Sequence, residues 1–139
     1  MKAHSIVVTA SALLALIAAA PGRAQDHGSE TVTPRFEQAI PNIPGKSLIA
    51  VEVDYPPASA SAPHKHAKSA FIYAYVIEGE IESKVNDGPT RVYKAGESWS
   101  EPPNATHSIS RNVSKTKPAK LLAVFVVDSD DKRLTTPAD

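Results

Sequence analysis

The chain has 139 residues, 15 basic and 15 acidic side chains, and no cysteine. That length suits one domain better than two, and the missing thiol excludes a lipid-anchored cleavage site, a thiolate metal site, a cysteine nucleophile and any disulfide. Balanced charge supports neither a nucleic-acid footprint nor an anionic-membrane patch, so partners are expected among small molecules or proteins.

The chain opens with Met1-Lys2-Ala3-His4, followed by an apolar run from Ile6 to Ala20. Pro21 and Gly22 break the run, and the small residues Gly22 and Ala24 precede Gln25. A basic start, a short apolar middle and a small-residue exit predict a secretory signal peptide over 1–24, cut after Ala24. The run is shorter than the roughly 20 residues that a membrane-spanning helix needs. A periplasmic or secreted protein is expected. Loss of Lys2 and Arg23 would leave it weakly acidic.

Residues 25–34 are polar and unpatterned and read as a flexible N-terminal tail, with 129–139 as a polar C-terminal tail. Between them, residues 35–128 carry short β-rich runs separated by turn residues. Ser47 to Tyr55 places Ile49, Val51, Val53 and Tyr55 on one face. Phe71 to Ile77 is aromatic and β-branched, with Ile72, Ala74 and Val76 on one parity and Tyr73 and Tyr75 on the other. Ile81, Ser83 and Val85 alternate with Glu82 and Lys84, and Asp87-Gly88 signals a tight hairpin. Thr90 to Tyr93, Glu97 to Ser100, His107 to Asn112 and Leu121 to Val127 complete the set. Pro56-Pro57, Pro63, Pro102-Pro103 and Pro118 mark connections, because proline cannot donate to an inner ladder. Short strands with no helix between them predict an all-β, antiparallel sandwich or barrel.

Of five histidines, His4 lies in the signal peptide and His27 in the tail. His64 and His66, two apart on a strand, aim their rings to one side. Together with His107 they offer three imidazoles and no thiolate, a donor set for divalent iron, manganese, zinc, nickel or copper. Three protein ligands leave positions open for water or substrate. An HxH pair alone also fits a solvated loop.

The stretch Pro63 to Glu80, "PHKHAKSAFIYAYVIEGE", resembles the first cupin motif, with His64-x-His66 and Gly79 in place. "AGESWSEPPNATHSISRN" resembles the second, with Gly96, Pro102 and His107 at its offsets. The resemblance runs from Ile49 to Val127. It implies a small antiparallel jelly-roll β-barrel, a single cupin domain, with a metal on His64, His66 and His107. Ala58 stands where the first motif has glycine. Asn104 replaces the second motif's glycine, and asparagine tolerates the left-handed backbone. Asn112 lies one residue beyond the pattern's asparagine position, which Arg111 occupies. The motif's glutamate is missing: its place falls on Ile72 counted back from Gly79, or on Ala70 or Phe71 counted on from His66. A three-histidine site then remains, suited to an anionic or enolate-like substrate that supplies the missing charge.

Glu101 is read as an outward polar residue beside Pro102, with an inward, ligating orientation as the alternative. Glu78 and Glu80 read as solvated turn residues and Trp99 as core. Arg91 and Arg111 read as surface residues, with pairing to an anionic substrate as the alternative. Outward Tyr73 and Tyr75 suggest sheet packing or a homodimer face. Two functions follow: a metal-dependent enzyme of oxygenase (dioxygenase) or isomerase-like type acting on a small oxygenated molecule, or a non-catalytic binding or sensing cupin. Catalytic residues beyond the metal ligands are not identified from the sequence.

Overall fold

The computed structural model describes residues 29–139. The signal peptide, His4 and His27 lie outside the described residues. The strands are β1 (Thr31–Ala39), β2 (Lys46–Tyr55), β3 (His64–His66), β4 (Phe71–Glu78), β5 (Glu80–Val85), β6 (Arg91–Lys94), β7 (Ser98–Glu101), β8 (Thr106–Asn112), β9 (Ala119–Asp128) and β10 (Thr135–Pro137). They form two five-stranded sheets, ordered β1-β2-β9-β4-β7 and β10-β3-β8-β5-β6. All pairings are antiparallel. The fold is a single-domain jelly roll of the cupin type, as the sequence predicts.

Period-2 alternation decides which side chains enter the space between the sheets. Along β9, Ala119, Leu121, Ala123, Phe125 and Val127 are buried and their neighbours are half-buried. Along β4, Ile72, Ala74 and Val76 are buried, while Phe71, Tyr73, Tyr75 and Ile77 are exposed. The inward positions of the two strands face each other across the ladder, with Ile72 opposite Phe125 and Val76 opposite Leu121. Each large aliphatic chain buried in this way contributes about 2 kcal/mol.

The chain leaves one sheet for the other at Gly79, between β4 and β5. Its φ is +72°, and a Cβ there would lie 2.7 Å from the Pro118 carbonyl oxygen and 2.8 Å from Ala119 Cβ. Only glycine satisfies both the left-handed backbone and the close approach. Glu78 is exposed and Glu80 half-buried beside this bend.

Two expectations need correction. Residues Thr31–Pro34, read as tail, belong to β1, which pairs with β2 from Thr31↔Asp54 to Ala39↔Ser47. All but one residue of β1 are exposed, so no alternation marks it, and Pro34 is tolerated because β1 is a sheet edge. Within 129–139, also read as tail, β10 pairs with β3: Thr135 with His66 and Pro137 with His64. Three residues ending in proline carry too little pattern to be seen as a strand. The short β7 also ends at Glu101 rather than Ser100, which decides the orientation of that glutamate.

Candidate metal centre

Strand β3 brings His64 and His66 to the inner side of its sheet, and β8 lies beside it with His107 opposite His64. The ligand atoms of the three rings lie within 4.8 Å of one another. Ring centroids are 4.8 Å apart for His64 and His66, 5.3 Å for His64 and His107, and 5.9 Å for His66 and His107. His66 and His107 are buried and His64 half-buried. The sequence predicts this trio, and the fold brings it together.

Each ring is held differently. His64 Nδ1 lies 2.8 Å from the Ala62 carbonyl oxygen. A carbonyl can only accept, so Nδ1 carries the proton and Nε2 keeps its lone pair. His107 Nε2 lies 2.8 Å from Ser83 Oγ, inside the protein. That contact leaves His107 Nδ1 to face the centre, in the way outer partners orient metal-binding histidines. Ser83 was not singled out by the sequence; its inward parity on β5 with Ile81 is the signal that places it. Both ring nitrogens of His66 are buried and lack a hydrogen-bond partner.

Glu101 is the correction that matters most. It is 2 % exposed and points inward. Because β7 runs through residue 101, Glu101 shares the inward parity of Trp99. Trp99 Nε1–H donates to Glu101 Oε1 at 3.0 Å. Trp99 is therefore buried as expected, and it also steers the carboxylate. Oε1 lies 3.3 Å from His107 Nδ1, and Oε2 lies 2.9 Å from His66 Nε2. Among the described residues, His66 Nε2 is the one polar neighbour of Oε2, and nothing else satisfies either atom.

Burial dominates the protonation of the rings. It pushes the His107 imidazole down to about 4 and lowers His64 as well. Both are neutral, metal-competent donors at neutral pH. Burial pushes the Glu101 carboxyl up, but the His66 contact and the charges of His107 and His66 outweigh it, and the net shift is downward. Neutral imidazoles beside a carboxylate form a donor set for a hard or borderline divalent ion. His66 Nε2 and Glu101 Oε2, which among the described residues have no polar neighbour but each other, fit such an ion, because burying polar atoms short of partners costs about 1–3 kcal/mol each.

The centre opens into a cavity of about 380 Å³. Val51, Val53, Ile72, Ala74, Leu121, Ala123 and Phe125 form its apolar wall. Tyr55 also lines it, its hydroxyl 2.8 Å from Ser61 Oγ and 2.7 Å from Ser110 Oγ. Leu134 and the β10 residues Thr135–Pro137 line it too, so the C-terminal strand helps to build the cavity. Arg91 and Arg111 are not among its lining residues. Arg111 pairs with Glu82, and Arg91 lies over the Tyr93 ring at 5.2 Å.

Solved structures share this architecture. A Thermus thermophilus protein matches with a TM-score of 0.58 and 23% identity, over 71% of this chain and 84% of that one. A Klebsiella pneumoniae protein with a double-stranded β-helix domain matches with a TM-score of 0.62 and 20% identity, over 80% of each chain. An oxalate oxidase matches with a TM-score of 0.56 and 26% identity, over 75% of this chain but only 53% of the oxidase. No curated protein matches the sequence. The cupin domain model matches residues 51–125, more than half of the chain and both histidine motifs. With that match and the jelly roll around three converging histidines, the chain belongs to the cupin family.

Proposed function

We propose that this chain is an exported metal-binding cupin that acts on a small oxygenated molecule at its histidine centre, in oxygenase- or isomerase-like chemistry. The observation that carries the reading is the convergence of His64, His66 and His107 on one end of a ligand-sized cavity. A bound divalent ion would supply Lewis-acid polarisation of a substrate oxygen or, if it were iron, activation of dioxygen. Export rests on the basic start, apolar run and small-residue exit of residues 1–24.

The remaining work falls to the protein. His64 is held by Ala62 and His107 by Ser83 through one ring nitrogen each, which leaves the other nitrogen of each ring for the centre. The apolar wall excludes water and confines the ligand. Burial raises the Tyr55 phenol above its ordinary pKa, so it stays protonated beside Ser61 and Ser110 and can donate to a polar group in the cavity. Similarity to an oxalate oxidase supports a small oxygenated ligand.

The long apolar wall supports a second reading, a non-catalytic binding or sensing cupin. Metal analysis of protein purified without added metal tests the first step. The expected result is a stoichiometric divalent ion, lost in His66→Ala. A metal-free parent that takes up no added ion would refute the reading. Turnover of small hydroxy or keto acids, followed with an oxygen electrode and by product analysis, separates enzyme from binder.

A further inference from the structure

We infer that Glu101 is a fourth metal ligand through Oε2, supplied from β7 directly across the ladder from Ile72, where the first cupin motif's glutamate falls when counted back from Gly79. This deepens the metal reading above and rests on it. In the β4–β7 pairing, Ile72 stands opposite Glu101 and Ala74 opposite Trp99. Directly opposed residues place their Cβ atoms about 5 Å apart on one face of the sheet. A carboxylate moved from one of these positions to the other therefore still reaches the same side of the cavity.

Three observations point from Glu101 to an ion and away from a merely structural ion pair. A carboxylate this deeply buried needs a cationic partner. No lysine or arginine lines the cavity among the described residues. The two groups beside it are His66 and His107. Second, Oε2 and His66 Nε2 stand 2.9 Å apart, and neither has another partner among the described residues. Donors about 2.0–2.2 Å from one ion can be no more than about 4.4 Å apart, and this pair meets that limit. Third, Trp99 occupies Oε1 and leaves Oε2 turned toward His66 at the centre, as an outer partner does for a one-oxygen ligand.

The test titrates Co(II) into the full metal-free chain, reading both affinity and the visible spectrum of the bound ion. Four proteins are compared: the parent, Glu101→Gln, the swap Ile72→Glu/Glu101→Ile, and His66→Ala. Glu101→Gln keeps the shape and removes the charged donor. Its affinity is expected to fall at least about tenfold, the scale set by loss of even an outer partner, with an altered spectrum. The swap is expected to recover most of the loss, which also covers the case in which Glu101→Gln folds poorly. A Glu101→Gln protein with the parent's affinity and spectrum overturns the inference, as does a folded swap protein that recovers nothing. If affinity falls while the spectrum is unchanged, Glu101 acts through His66 and is not a ligand, which also overturns it. A parent that binds no Co(II) fails the metal reading itself. Loss of binding in His66→Ala with full binding in Glu101→Gln fails only the fourth ligand.

Discussion

Ile72 and Glu101 face each other across the β4–β7 ladder, both almost completely buried. One occupies the place where the family pattern, counted back from Gly79, has a carboxylate, and the other is a carboxylate. The pair therefore keeps one buried acid at the histidine centre while exchanging the strand that carries it. Two acids at once, or none, would each disturb the balance of charge in the cavity.

That relationship predicts the behaviour of Ile72→Glu alone. A second carboxylate opposite Glu101 would share its desolvated site, and like charges so placed cannot both ionise cheaply. The metal-free variant is expected to lose about 3 kcal/mol or more of stability. The swap Ile72→Glu/Glu101→Ile should lose much less. Urea unfolding of the metal-free parent, both single variants and the double variant gives the coupling between positions 72 and 101. A favourable coupling above about 1 kcal/mol is expected for residues in contact. A coupling near zero would mean that the two side chains do not face each other.

Ala58 gives a prediction of the opposite sign. It stands where the family pattern has glycine, and its φ is +61°. A left-handed alanine costs about 1–2 kcal/mol. Ala58→Gly removes that cost and adds back about 0.4–1 kcal/mol of unfolded-chain entropy. A net stability gain of about 0.5–1 kcal/mol, read from the unfolding midpoint, is expected. Asn104, with φ +60°, serves as the comparison. Asparagine tolerates this region, so Asn104→Gly should gain less. Equal or reversed effects would show that the Ala58 turn is not strained.

The barrel was legible in the sequence wherever strands alternate or carry the motif histidines. Ile72, Ala74 and Val76 point inward and the tyrosines outward, as parity demands, because one face of β4 is packed and the other is free. β1 was not legible, because an almost wholly exposed edge strand has no buried face to impose a pattern. β10 was too short to register. The site was legible in its histidines, whose spacing fixes their face, and not in its acid. Glu101 sits at the last residue of a four-residue strand, next to Pro102. There, ending the strand one residue early turns an inward side chain into a loop residue. Trp99, two residues earlier and inward, is the sequence signal that carries the correct parity.

Asn112 illustrates a polar residue whose role is wholly structural. It is 3 % exposed, and its Nδ2 donates toward the carbonyl oxygens of Tyr55 and Pro56 at 3.2 Å and of Lys117 at 2.7 Å. Its Oδ1 accepts from the Ser114 amide at 2.9 Å. One side chain thus ties the end of β2 to the loop between β8 and β9. Asn112→Ala strips buried backbone groups of their partner, each at about 1–3 kcal/mol. A loss of about 3 kcal/mol is expected, measured by denaturant midpoint, with Co(II) affinity nearly unchanged because the centre lies elsewhere. A loss below about 1 kcal/mol would mean that other donors replace it.

Removal of residues 132–139 tests whether β10 supports the centre. Thr135 pairs with His66 and Pro137 with His64, so β10 is the outer neighbour of the strand that carries two of the three histidines. The Ala67 amide donates to the Leu134 carbonyl at 3.0 Å and the Ala138 amide to that of Pro63 at 3.1 Å, which pins both ends of β3. Without β10, β3 would be a three-residue edge strand held from one side, by β8 at His64↔His107 and Lys65↔Thr106 and by the His66 amide on the Ala105 carbonyl. Local opening would then cost less than global unfolding. The shortened chain is expected to remain folded, since the inward faces of β2, β4 and β9 are untouched, and to lose about 1–2 kcal/mol of stability as Leu134 leaves the core. Its Co(II) affinity should fall by more than the stability loss explains, because two ligands lose their fixed backbone, and the price is ordering them anew on binding. Amide exchange should speed up selectively at Ala67, whose amide donates to the Leu134 carbonyl, and much less at His66, whose amide donates to Ala105. Unchanged Co(II) affinity with unchanged exchange at the Ala67 amide would show that β3 is held by the rest of the barrel and that the C-terminal strand only covers it.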